Sequence, residues 1–106
     1  MVAPTPQPKP NSIHVVGRRW FQKSYGNTYH TAQIFVDGQP VEGVGYSYGY
    51  GDMYLQNAAD KLEELGYMPD REHYAHGGAT PLWRYCQEHG IVFVYTVVDV
   101  SRQKDL

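Results

Sequence analysis

The sequence predicts a small α+β domain with an antiparallel four-stranded sheet, in the element order β-β-β-α-α-β and with at least one helix packed on the sheet. Three observations carry this prediction: strand-like apolar alternation in the first half of the chain, a turn-forming Asp37-Gly38 pair, and a helical stripe of leucine and alanine after Asp52. A chain of 106 residues with 42% hydrophobic content has the size of one domain. We therefore expect a single domain over residues 12–106.

Proline sets the first eleven residues apart from this domain. Pro4, Pro6, Pro8 and Pro10 alternate with small or polar residues. This pattern favours an extended polyproline conformation and cannot enter a sheet ladder. Residues 1–11 are therefore predicted to form a disordered tail.

The first three strands are delimited by turn residues. Residues 12–21 and 28–36 are predicted as strands, because the segment between them carries the Gly and Asn that turns require. Asp37-Gly38 predicts a tight hairpin, since a type I′ turn needs positive φ at both central positions. A third strand is predicted from residue 39 to about residue 50.

Two helices and a last strand follow. The first helix is predicted to begin after Asp52 as N-cap and to end at Gly66, with Tyr67 contacting Leu62 as in a Schellman motif. Its apolar stripe comprises Leu55, Ala58, Ala59, Leu62 and Leu65. After a loop at 67–79, Thr80 as N-cap and Pro81 as first residue predict a second helix that Gly90 ends. Residues 91–100 are apolar at nearly every position, which is typical of a central strand covered on both faces.

A two-residue hairpin turn would sort the second and third strands into two faces. Because Ala32 would then oppose Gly43, the small residues of the third strand would face the first helix. The opposite face would carry Tyr29, Phe35, Val44, Tyr46, Tyr48 and Tyr50. Two interpretations remain open: this face packs under the second helix with Trp83 and Tyr85 and with Phe93 or Tyr95, or it is a partly exposed aromatic platform for a partner.

The chemistry of the chain favours a binding protein over an enzyme. It contains ten tyrosines and two tryptophans but no nucleophile elbow, no HExxH motif and no suitably spaced carboxylate pair. Aromatic residues of these types dominate interface energetics. The predicted partner-binding residues are Trp20, Tyr25, Tyr46 and Tyr48.

Single-stranded nucleic-acid binding is the alternative. Arg18, Arg19 and Lys23 flank Trp20 and Phe21, and cations beside aromatic rings suit phosphates and bases. On a strand, however, Arg18 and Arg19 would point to opposite faces. The formal charge of −2 means that any such role must rest on a local patch.

Metal binding and membrane insertion receive less support. His73, His76, Cys86 and His89 are the possible zinc ligands, but their spacing matches no standard finger, so no cofactor is expected. A single cysteine fits a reducing compartment and favours the cytoplasm. The longest apolar run, at 91–95, is too short to span a bilayer, and the N-terminus lacks an apolar leader, so no membrane association is expected.

Two segments carry a resemblance to a known group of proteins. RRWFQKSYGNTYH at residues 18–30 and GYGDMYL at residues 49–55 resemble small uncharacterised proteins encoded by tailed bacteriophages, over roughly residues 13–100. No activity or site residue follows from this resemblance. It implies an accessory protein in the cytoplasm of an infected bacterium, such as an inhibitor that binds and modulates a host or defence complex.

Overall fold

A computed structural model describes residues 7–106. Its elements are β1 (Ser12–Gln22), β2 (Asn27–Val36), β3 (Gln39–Tyr48), α1 (Met53–Glu64), α2 (Leu82–His89), β4 (Val92–Val100) and a short 3-10 helix, Gln103–Asp105. The α+β class, the four strands and the two helices are confirmed. The terminal 3-10 helix is an addition to the predicted order.

The sheet is mixed, so the prediction of a purely antiparallel sheet is wrong. Its strands lie in the order β3-β2-β1-β4. The pairs β1/β2 and β2/β3 are antiparallel, whereas β4 runs parallel to β1, with Val92 beside Ser12. The reason is the path of the chain: α1 and α2 return it to the end of the sheet where β1 begins, so β4 starts in the same direction as β1.

The position of β4 also contradicts its prediction as a central, doubly covered strand. It lies at the edge of the sheet, and Val92, Val94 and Val98 are 62%, 49% and 55% exposed. An apolar composition indicates that a strand is stabilised by burial. It does not determine whether the strand lies at the centre or at the edge of the sheet. The result is an exposed valine-rich edge strand.

The hairpin between β2 and β3 begins as predicted and then changes register. Asp37 and Gly38 have φ values of 52° and 81°, as a type I′ turn requires. Two irregularities follow, so that Ala32 pairs with Val44 in place of Gly43. Val44 is therefore buried on the side of the helices, contrary to its predicted position. A Cβ at Gly43 would collide with the carbonyl oxygen of Ala32, which explains the glycine at the bulge.

Helix α1 covers one face of β1, β2 and β3. Ala58, Ala59 and Leu62 of its predicted stripe are buried, and Leu55 and Leu65 are half-buried. The buried Tyr54 is absent from the prediction. The core that forms between the helices and the sheet contains Ile13, Val15, Ala32, Ile34, Val36, Val44, Tyr54, Ala58, Ala59, Leu62, Met68, Leu82, Tyr85, Cys86 and Ile91.

The helix ends agree closely with the local sequence signals. At the end of α1 the amide of Tyr67 donates to the carbonyl of Leu62 at 2.9 Å and that of Gly66 to Glu63 at 3.0 Å, which confirms the Schellman motif. Helix α2 has Pro81 as N-cap, one residue later than predicted, and Gly90 ends it with a φ of 68°. No helix within residues 7–106 has the length and apolar character needed to cross a membrane.

The structure describes only the last five residues of the predicted tail, 7–11. Residues 1–6, with Pro4 and Pro6, lie outside the described residues. Within 7–11, Pro10 is buried and the Gln7 amide donates to the carbonyl of Gly66 at 2.9 Å. This part of the predicted tail therefore lies against the domain.

Candidate functional site

Helices α1 and α2 pack on one face of the sheet, and neither covers the other face, which the C-terminal 3-10 helix approaches at Arg18. On the helix side Ile13, Val15 and Ile34 are buried. The side chains that alternate with them, and their neighbours in register, form what we call the open face. It comprises His14, Val16, Arg18, Trp20, Tyr29, Thr31, Gln33, Phe35, Tyr46, Tyr48, Val92, Val94, Thr96 and Val98.

Four rings on the open face form an aromatic cluster, which consists of Trp20, Tyr29, Tyr46 and Tyr48. Tyr29 of β2 lies at the centre, stacked on Trp20 with ring centroids 5.8 Å apart and on Tyr46 at 4.9 Å. Tyr48 meets Tyr29 edge to face at 5.6 Å. Cross-strand aromatic pairs of this kind contribute roughly 0.2–1 kcal/mol each to sheet stability. The cluster is thus held in place by side-chain contacts across β1, β2 and β3.

Three of the four predicted partner-binding residues lie in this cluster. Trp20 is half-buried, whereas Tyr46 and Tyr48 are 52% and 64% exposed. Tyr25 lies apart in the β1–β2 turn and is 77% exposed. Tyr50, predicted on the same face, follows the end of β3 and lines a hollow with Arg19 and other residues of the helix side.

The interpretation that the second helix buries the tyrosine face is wrong. Helix α2 lies on the other side of the sheet, where Tyr85 is buried and Trp83 is 58% exposed. Phe93 and Tyr95 also face that side, and their rings stack on each other at 5.3 Å. No aromatic ring pair within residues 7–106 joins any of these four residues to the aromatic cluster.

The Tyr46 hydroxyl on the surface of the aromatic cluster is neutral at physiological pH. The pKa of Tyr46 is raised first by desolvation and second by the nearby Tyr29 hydroxyl. The Tyr46 hydroxyl therefore remains a hydrogen-bond donor and acceptor on an otherwise apolar surface. Such a surface can bury area against a partner and fix its orientation by a few polar contacts.

Two of the three cations of the nucleic-acid alternative, Arg19 and Lys23, line one hollow, whereas Arg18 lies on the opposite face of the sheet. Arg18 lies on the open face and its Nη1 donates to the Asp105 carbonyl at 3.5 Å. Arg19 points to the helix side, as the sequence predicts for adjacent strand residues, and forms a two-pronged contact with Asp99 at 2.9 and 3.3 Å. Lys23 lies in the β1–β2 turn.

The four possible zinc ligands are likewise separated. His73 contacts the Glu63 carboxylate at 2.8 Å, and His89 contacts that of Asp70 at 2.9 Å. Cys86 is buried, and desolvation raises its pKa to about 11, so its thiol is protonated and a poor ligand. Within residues 7–106 no three His, Cys, Asp or Glu side chains come together as a metal site would require.

A groove on the helix side is a feature that the sequence analysis misses. It lies between α1, α2 and β4, has a volume of about 630 Å³, and is lined by apolar groups that include Leu55, Trp83 and Phe93. Its cation, Arg71, is already bonded to Asp60 at 2.7 Å and to the Thr80 carbonyl at 2.9 Å. The groove exists because α1 packs on β1 to β3 while α2 covers β4 only in part, an arrangement that no local signal encodes.

Comparison with known proteins does not assign the chain to a family: no family model, no curated protein and no solved structure matches it.

Proposed function

We propose that the protein is a non-enzymatic binding protein whose open face docks a protein partner through the aromatic cluster. The observation that carries the proposal is the position of Tyr46 and Tyr48, more than half exposed on a sheet face that neither helix covers. Tyrosine and tryptophan are the residue types most enriched among the few that dominate binding energy.

The surroundings of the cluster support a protein partner. On β4 the open face carries the branched side chains of Val94, Thr96 and Val98, all exposed, and Arg18 of β1 lies between Val98 and the cluster. Contiguous exposed apolar surface of this kind marks interaction sites on otherwise ordinary monomers. The combination of an aromatic centre with β-branched side chains and Arg18 at its margin resembles protein interfaces, in which aromatic residues and arginine are enriched.

Ring stacking within the cluster disfavours nucleic acid as the ligand. Single-stranded nucleic acids stack their bases on free aromatic faces. Here Tyr29 has Trp20 on one side, from β1, and Tyr46 on the other, from β3. Both faces of the central ring are therefore occupied by its own neighbours, and the only cation on the open face beside the cluster, among the described residues, is Arg18.

The identity of the partner is proposed from the resemblance to phage proteins. An accessory protein of this kind would act in the cytoplasm of an infected bacterium, by binding a host or defence complex and modulating its activity. Docking by surface complementarity requires no cofactor and no catalytic residue, so the proposal involves neither.

The test compares two double variants, each lacking two exposed tyrosines. Tyr46→Ala with Tyr48→Ala removes the exposed half of the cluster, whereas Tyr50→Ala with Tyr74→Ala removes two exposed tyrosines elsewhere. Immobilised wild type and both variants are incubated with nuclease-treated lysate of the bacterial host, and retained proteins are quantified by mass spectrometry. We expect a partner retained by the wild type and the control but lost from the cluster variant.

The affinity for the purified partner makes this test quantitative. Loss of a dominant interface residue costs about 2 kcal/mol or more, or about 30-fold in Kd. Equal affinities of the cluster variant and wild type would disprove the proposal. Binding of labelled single-stranded oligonucleotides that weakens steeply with salt would instead support the nucleic-acid alternative.

A further inference from the structure

The two edges of the sheet differ in how they are protected against pairing with another strand. At one edge, β3 carries Pro40, Glu42 and two register irregularities. Such features prevent an edge from accepting a further strand. At the other edge, β4 has no proline and pairs with β1 in unbroken register over all nine residues. The outer edge of β4 is thus a long, regular template.

The hydrogen bonds inside the sheet determine which groups of β4 point outward. The Val92 amide donates to the Asn11 carbonyl of the β1 side at 2.9 Å. In a parallel ladder the backbone groups of alternate residues point to the same neighbour. Val92, Val94, Thr96, Val98 and Val100 therefore bond inward. The amide and carbonyl groups of Phe93, Tyr95, Val97 and Asp99 point outward.

We propose that β4 pairs with β4 of a second copy of this chain, antiparallel and about a two-fold axis at Thr96. In this register Tyr95 pairs with Val97 of the second copy, and Phe93 with Asp99. These are the four residues whose backbone groups point outward, so the interface gains about eight backbone hydrogen bonds. This number falls within the range of a typical protein interface.

The side chains of the strand are self-complementary in the same register. On the open face Val92 would lie opposite Val100, Val94 opposite Val98, and Thr96 opposite Thr96. Pairs of β-branched side chains are favourable across antiparallel strands. A two-fold interface requires this kind of palindromic pattern, because each residue must suit its counterpart in both copies.

Charge and access are compatible with a second copy. The single charged residue of β4 is Asp99, which is already paired with Arg19. In this register the two Asp99 residues of a dimer lie roughly 20 Å apart, six residues along the strand. The C-terminal 3-10 helix approaches Arg18 of the open face, yet Val98 beside Arg18 in the sheet remains 55% exposed.

The predicted dimer is a continuous eight-stranded sheet. Because the two-fold axis is perpendicular to the plane of the sheet, the open faces of both copies lie on the same side of the dimer. The two aromatic clusters would be separated by five strand spacings of about 4.8 Å across the sheet and by eight residues of about 3.3 Å along it, or roughly 35 Å in all. Formation of the dimer does not depend on any partner of the clusters, so its test is independent of the proposed function.

Disulfide cross-linking tests the register directly. In a Cys86→Ala background, Thr96→Cys places two thiols at a pair whose Cα atoms are about 4.5 Å apart, within disulfide range. We expect a covalent dimer under mild oxidation. The matched control is Val98→Cys on the same exposed strand, which should stay monomeric alone but cross-link when mixed with Val94→Cys. Cross-linking of Val98→Cys alone to the same extent would overturn the register.

Mass measurement in solution tests the dimer itself. Sedimentation equilibrium of the full chain should give twice the mass of one chain at high concentration. Thr96→Lys should shift the protein to monomer, because it places two like charges at the axis. Gln33→Lys, an equally exposed change on the open face of β2, should leave the dimer intact. A wild type that is monomeric at every concentration would overturn the proposal.

Discussion

Gly17 shows how a single residue determines the distance between helix and sheet. It lies in the middle of β1, where a Cβ would stand 2.7 Å from Cε2 of Tyr54 and closer still to Cδ2. Because the Tyr54 ring is almost completely buried, it has little room to move. We expect Gly17→Ala to lower the free energy of unfolding by about 1–3 kcal/mol, measured by denaturant titration.

The matched control for this change is Gly45→Ala. A Cβ at Gly45 meets no atom within 4 Å. The free energy of unfolding should therefore change by less than about 0.5 kcal/mol. Equal effects of the two alanines would contradict the explanation by close packing of Tyr54.

The contact of His89 with Asp70 predicts a pH dependence of stability. The His89 ring stacks on Tyr85 at 4.0 Å, and its two nitrogens face the Asp70 carboxylate and the Tyr85 carbonyl, both at 2.9 Å. These two acceptors, Asp70 first, raise the pKa of His89 above 6.5. The pKa of Asp70 is lowered below 3.8, first by the Tyr85 hydroxyl and second by His89.

The signs of the two shifts define a window of pH. The pKa of His89 is higher in the folded state than in the unfolded state. Its protonated form therefore stabilises the folded protein fully below the unfolded value of 6.5, and this stabilisation is lost as the pH rises through the folded-state pKa. For Asp70 the stabilisation is present above 3.8 and is lost as the pH falls through its lowered pKa. We expect His89→Gln to destabilise the protein by up to about 1 kcal/mol near pH 5 and less near pH 9. Unfolding titrations at both values provide the measurement, and a difference that is constant with pH would refute this account.

At the scale of the element, the two ends of α1 are stabilised differently. At its C-terminus Gly66 has a φ of 92° and completes the Schellman motif. At its N-terminus the side chain of Asp52 makes no capping hydrogen bond. We expect Gly66→Ala to cost about 1 kcal/mol of unfolding free energy, since alanine is strained at positive φ. Asp52→Ala should cost less than about 0.5 kcal/mol. The reverse order in thermal or denaturant unfolding would contradict the observed caps.

The elements also show where sequence information ends. The stop of α1 at Gly66 and the turn at Asp37-Gly38 follow from local backbone chemistry, and both agree with the structure. Helix α1 also begins after Asp52 as predicted, but without the side-chain cap on which that prediction rested. The bulges that turn Val44 toward the core and the parallel pairing of β4 depend on contacts between distant segments. Local propensity contains no term for such contacts, so these features required the structure.

For the whole molecule, the layer arrangement decides what the candidate site is. The sequence analysis places Tyr46 and Tyr48 on one side of β3, because strand alternation is a local property. Whether that side is covered depends on which face of the sheet α1 and α2 pack against. Helix α1 buries Tyr54 and Leu62 against the opposite face, so the side that carries Tyr46 and Tyr48 is left open. With both helices on the same face, the sheet has one covered and one open side, as two-layer folds do.

The proposed eight-stranded dimer predicts an alternating pattern of hydrogen exchange along β4. The amides of Val94, Thr96 and Val98 bond to β1 within one chain, so their protection should be the same at low and high protein concentration. The outward amides, those of Phe93, Tyr95, Val97 and Asp99, have no partner strand within residues 7–106 of one chain. We expect them to exchange rapidly in dilute protein and to become protected as the dimer forms, because exchange then requires opening of the interface.

Exchange followed by NMR at two protein concentrations measures this pattern residue by residue. Thr96→Lys serves as the control, since its outward amides should exchange rapidly at both concentrations while Val94 and Val98 remain protected by β1. Protection of the outward amides that is independent of concentration, or that persists in Thr96→Lys, would mean that the edge is covered by its own chain. The alternating pattern with its dependence on concentration is specific to pairing of β4 with a second copy, because no contact elsewhere on the molecule would protect every second amide of this strand.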